Sequence, residues 1–120
     1  MSYDIRIGVE VKDANGLIAE IGCPEYDQPT YNLADMFRKC TGWNYVQGEW
    51  YKVPEVLPLI EHGIHELQFS PSKYKKYNAP NGWGTVESAL ECLQSIVEEL
   101  KRYQNGWHQE IPLEHLWIKW

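Results

Sequence analysis

The stretch Tyr77-Asn78-Ala79-Pro80-Asn81-Gly82-Trp83-Gly84-Thr85 joins a short basic and aromatic segment to the longest amphipathic run in the chain. Beyond it, Val86, Ala89, Leu90, Leu93, Val97 and Leu100 recur on one helical face, with Thr85 at the N-cap position and Glu87 in the first turn. A helix therefore starts at Thr85 and ends at Asn105-Gly106. Within the stretch, Asn81-Gly82 and Gly84 allow a positive φ, Pro80 stiffens the approach, and Trp83 stands between two residues without side chains. A loop of this kind presents its ring.

Working back from it, Lys73 to Tyr77 reads as a short turn of helix after Ser70-Pro71-Ser72. Pro54 suits the first turn of a longer helix that reaches about Gln68, with Val56, Leu57, Ile60, Ile64 and Leu67 on its buried side. Pro58 must then lie near that first turn, and Gly63 weakens the interior. Trp43 to Tyr51 is aromatic, polar and glycine-containing, and reads as loop or a short irregular hairpin. Leu33, Met36, Phe37 and Cys40 share a helical face, with Asn32 as the expected N-cap, Asp35 in the first turn and Gly42 as the terminating glycine.

At the two ends the period changes from helical to alternating. Tyr3, Ile5, Ile7, Val9 and Val11 alternate with polar residues and glycine, Asp13-Ala14-Asn15-Gly16 turns the chain, and Leu17, Ala19, Ile21 and Cys23 alternate again. This predicts an antiparallel hairpin with one packed face. From Ile111 onward Leu116, Ile118 and Trp120 alternate with His115, Trp117 and Lys119, a third strand returning to the hairpin. The expected fold is α+β, one domain over residues 1–120, with a short antiparallel sheet (N-terminal hairpin plus C-terminal strand) packed against about three helices.

A net charge of −6 argues against a phosphate-backbone binder, so no duplex nucleic acid is expected. Six Trp and eight Tyr exceed what a core of this size needs, which places some rings at the surface. Cys23, Cys40 and Cys92 lack C-x-x-C spacing and sit in apolar patterns, as reduced, buried thiols do. The N-terminus has no basic start and apolar block, and no run approaches the ~18 residues that span a bilayer, so a cytoplasmic chain with no membrane partner is expected. Alternating strands with open edges would also suit a homodimer.

His62, His65 and Glu66 share a helix, but zinc would need further ligands and the H-E-x-x-H spacing is absent, so no metal is expected. No nucleophile motif, phosphate-binding loop or dinucleotide fingerprint occurs, so neither a cofactor nor an enzymatic reaction is expected. The remaining candidate is a binding site at the two helix entries. Tyr31 or Trp83 would stack on a ring. Asn32, Asn78 and Asn81 would supply amide contacts, and Lys75, Lys76 and Arg38 would offset a phosphate. Gly82, Gly84 and Thr85 would shape the loop and open backbone N–H groups to an anion, against the charge of Glu87.

With Thr30-Tyr31-Asn32 before a Met-Phe helix and Asn78-x-x-Asn81-Gly82-Trp83-Gly84 before a long amphipathic helix, the chain resembles small uncharacterised proteins of phages and prophages over most of its length. The resemblance implies a cytoplasmic accessory protein of a mobile element that counteracts host defence. Such a protein would sequester a nucleotide-like signal molecule or, alternatively, grip a host defence or regulatory protein through an exposed aromatic patch. It implies no catalytic residue.

Overall fold

The N-terminal alternation forms β1 (Arg6–Glu10) and β2 (Ile18–Gly22), an antiparallel hairpin turned through Asn15 and Gly16 at φ 51° and 83°. The structure, a computed structural model, describes residues 2–11, 15–106 and 110–120; Asp13 and Ala14 of the expected turn lie outside the described residues. Three helices follow: α1 (Ala34–Thr41), α2 (Val53–Phe69) and α3 (Val86–Gln104). The C-terminal alternation forms β4 (Leu116–Lys119), which pairs antiparallel with β1. The fold is thus the α+β arrangement of hairpin, helices and returning strand.

A fourth strand lies where the sequence suggests a loop or irregular hairpin. β3 (Trp50–Lys52) pairs with β4 and completes the order β2-β1-β4-β3. Ile7, Leu116 and Ile118 point into the core shared with the helices, whereas Arg6, Trp117 and Lys119 occupy alternate positions. The hairpin departs from expectation at its outer strand. β2 is a sheet edge, so its alternating set is not packed: Leu17 is 61% and Ile21 38% exposed, and Cys23 is exposed rather than buried.

Pro54 sits at the start of α2, where its missing N–H costs no helical bond, whereas Pro58 lies inside the helix rather than in its first turn and leaves the Pro54 carbonyl without its i+4 donor. Gly63 has a packing role that outweighs its poor helix propensity. A Cβ there would stand 2.6 Å from Thr41 Cγ2 and 3.1 Å from Leu93 Cδ1, so glycine lets α1 and α3 approach α2. α1 ends at Gly42, whose φ of 72° and N–H bond to the Arg38 carbonyl make the expected left-handed cap. Its entry differs from expectation: Tyr31–Leu33 forms a 3-10 turn capped by Thr30, whose hydroxyl accepts from the Asn32 N–H. Asn32 is therefore not the cap, and its side chain is available for another bond.

Much of the aromatic surplus goes into one cluster beneath the C-terminus. The Trp120 ring, 2% exposed, lies edge-on to Phe37 at 4.9 Å and Trp43 at 5.5 Å, and tilted against Tyr45 at 5.1 Å. Tyr3 adds a hydroxyl contact to Tyr45 at 2.9 Å, and the Gly48 N–H bonds the Trp120 carbonyl. The last residue is thereby tied into the fold. Among the described residues, no helix is long and apolar enough to cross a membrane.

Candidate functional site

The two helix entries meet. The side-chain amide of Asn32 donates to the Trp83 carbonyl at 3.0 Å, and Gly84, at φ 117°, packs so close to Leu33 and Thr30 that a Cβ would stand 3.1–3.3 Å from their side chains. Any other residue at 84 would be strained in backbone and crowded by the α1 entry. The loop is then closed on itself: Ala79 N–H bonds the Gly84 carbonyl, Gly82 N–H the Ala79 carbonyl, and Trp83 N–H the Asn81 carboxamide oxygen, each at 3.0 Å. The consequence is a fixed backbone carrying a free ring. Trp83 is 71% exposed.

The start of α3 is bonded at Thr85, Val86 and Ser88. Thr85 and Ser88 form a reciprocal capping box, and the Asn78 side-chain oxygen accepts from the Val86 N–H at 3.0 Å. The backbone donors that an anion would use at Val86 and Ser88 are thus already bonded. Asn32, Asn78 and Asn81 all stabilise the junction, and each retains only part of its amide for a ligand.

A groove of about 570 Å³ opens beside the ring, walled by Trp83 and Tyr26 and by the polar side chains of Gln28, Thr30, Thr85 and Ser88, with Gly82 and Gly84 in its lining. None of its lining residues is charged. It shares Tyr26 and Gln28 with a second groove of about 480 Å³, where Glu91 and Glu98 are exposed on α3, Glu25 lies 3.6 Å from Arg102, and Asp27 is bonded to Arg6 at 3.0 Å. Segment 24–28 is held against that helix by the Tyr26 N–H to Ser95 Oγ, at 3.3 Å, and by the Cys92 thiol on the Tyr26 carbonyl. Burial, followed by the negative charge on the helix side, pushes the Tyr26 phenol above its ordinary value. Tyr26 therefore stays a neutral hydrogen-bonding group at neutral pH.

The other sequence candidates lie apart from this groove. Tyr31 stands edge-on to Tyr3 at 4.6 Å and its hydroxyl is bonded by the Gln47 amide, so it belongs to the rim of the aromatic cluster. Arg38 lies over the Tyr45 ring at 4.3 Å and donates to the Tyr45 carbonyl. Lys75 and Lys76 sit on the 3-10 turn Lys75–Tyr77, with the Lys76 ammonium 5.3 Å from the Tyr77 ring centre, and neither lines the Trp83 groove. Of the candidates, Gly82, Trp83, Gly84 and Thr85 line the groove itself, with Asn32, Asn78 and Asn81 bracing it from behind.

Tyr26, Gln28 and Ser88 were not legible as site residues. Pro24 and Pro29 bracket Tyr26 and Gln28 in the sequence, a sign of a stiff connection, but only the docking of that connection on α3 turns it into a wall. Glu66, the centre of the helical His and Glu cluster, accepts from the Tyr74 hydroxyl at 2.7 Å and from Lys73 at 3.3 Å, while His65 lies against Phe69. Among the described residues no group of three or more His, Cys, Asp or Glu is placed to hold a metal. Burial raises the Cys40 thiol to about 12 and the Cys92 thiol further, which leaves both uncharged near neutral pH.

Comparison of the chain with protein-family models, curated proteins and solved structures finds no match.

Proposed function

We propose that this chain is a non-enzymatic binding protein that captures another protein by Trp83 and the groove beside it. The observation that carries this reading is a tryptophan 71% exposed on a backbone hydrogen-bonded to Asn32 at the α1 entry and to Asn81 within its own loop. An exposed ring on a rigid support loses little conformational freedom on binding, and interface energy concentrates in such aromatic anchors. The neighbouring groove adds the sign of the partner. Glu91 and Glu98, exposed on α3, favour a segment bearing Lys or Arg, whose aliphatic stem would lie along Trp83 and Tyr26. Following the resemblance to mobile-element proteins, the partner would be a host defence or regulatory protein, met in the cytoplasm.

The meeting of the two helix entries favours a second reading, sequestration of a nucleotide-like molecule with its base stacked on Trp83. The groove has the size of a ligand site. A phosphate, however, would find the Thr85, Val86 and Ser88 amides bonded and carboxylates next door. Calorimetry separates the two readings. An arginine-rich peptide should bind the wild type, lose affinity on adding salt, and fail to bind Trp83→Ala. Linear and cyclic nucleotides, including those carrying ADP-ribose, should give no heat. Micromolar nucleotide binding that disappears in Trp83→Ala would establish the second reading instead.

A further inference from the structure

We infer that two copies of this chain pair through β2, antiparallel about Ala19, to make one continuous sheet. The argument is independent of the Trp83 groove and starts from the direction of the hydrogen bonds. Val11 N–H bonds the Leu17 carbonyl at 2.8 Å, so Leu17 faces β1 with its backbone groups. In an antiparallel ladder this alternates, and the register Val9 to Ala19 and Glu10 to Ile18 runs without interruption as far as Glu20. Ala19 therefore also turns its N–H and C=O toward β1, while Ile18 and Glu20 turn theirs outward. Those outward groups lie on an edge that no described strand covers.

Two-fold pairing about Ile18, Ala19 or Glu20 would let outward backbone groups meet, and Ala19 is the centre at which the side chains also match. Centred on Ala19, it places Ile18 opposite Glu20 of the second copy, so that the outward donors and acceptors of each meet those of the other. The same register brings Leu17, 61% exposed, level with Ile21 of the second copy, which is 38% exposed and is the extra residue where the β1 ladder shifts register. Centring on Glu20 would instead put carboxylate against carboxylate. The Glu20 side chain is already drawn to Arg6, at 3.5 Å, which lowers its cost in the pair. The sheet's other edge is poorly suited, because β3 has three residues and runs directly into α2.

The pairing has a specific chemical signature. Directly opposed residues outside the hydrogen-bonded pairs stand about 4.5 Å apart at Cα, close enough for a disulfide. Ala19→Cys in a Cys23→Ser background should oxidise to a covalent dimer of twice the 14.1 kDa chain mass, whereas Glu20→Cys in the same background should cross-link much more slowly. Light scattering on the wild type should show concentration-dependent dimer. Glu20→Pro, which removes an outward N–H and leaves the β1 ladder intact, should be a folded monomer by circular dichroism. A wild type that stays monomeric with no Ala19→Cys cross-link would overturn the inference, as would Glu20→Cys cross-linking faster than Ala19→Cys.

Discussion

Trp120 and Trp83 are the same side chain in opposite settings. Trp120 ends a strand and is held by rings: Phe37, Trp43, Tyr45 and Tyr3 surround it, and only 2% of its surface remains. Trp83 is held by its backbone alone, through Asn32, Asn81 and the glycine that lets α1 come close, while its ring is left to solvent. A ring that is packed contributes to stability, and one that is mounted without being packed is available to something else. The division predicts that stability and binding can be changed separately.

Trp120→Ala should have the largest effect, about 3–5 kcal/mol lost in denaturant unfolding, because the cavity left among four rings cannot collapse. High pH should attack the same cluster next. Burial, then the hydrogen bond to Tyr3, raises the Tyr45 phenol above its ordinary 10. A raised folded-state value means that the stabilisation is complete below pH 10 and is lost as pH rises beyond it, since the unfolded chain gives up its proton first. Thermal melts across that range should decline, and Tyr45→Phe should flatten the decline.

Gly84→Ala should follow at about 1–3 kcal/mol, because φ at 117° is strained for alanine and its Cβ meets Leu33 and Thr30. The Trp83 indole should move with it. Trp83→Ala should come last, within about 0.5 kcal/mol of wild type, as for a surface change away from packing and caps. A loss comparable to that of Trp120→Ala would show that Trp83 is part of the core and would remove the contrast.

Periodicity carried far more of the fold than of the site. β1, α2, α3 and β4 follow from apolar spacing because each buries one face along its whole length. β3 escaped because Trp50-Tyr51-Lys52 is too short to show an alternation, and what makes it a strand is the neighbouring β4. The Leu17 and Ile21 alternation is genuine strand pattern, but pattern alone does not tell an edge from a centre. At the site, the glycines and asparagines around Trp83 announce a shaped loop. That Asn32, fifty-one residues away in sequence, braces it is a tertiary fact no local spacing records. Proximity in the chain puts Lys75 and Lys76 beside the Trp83 loop as phosphate partners, whereas the groove at that ring is lined by Tyr26, Gln28 and hydroxyls.

The most direct test is the indole N–H resonance of Trp83, identified by its loss in Trp83→Phe, followed during titration with an arginine-rich peptide and separately with nucleotides. Shifts at Trp83 and along segment 25–28 with the peptide, with the Trp120 resonance unmoved and nucleotides silent, are the predicted result. A Trp83 resonance indifferent to the peptide and shifted by nucleotides would contradict the account.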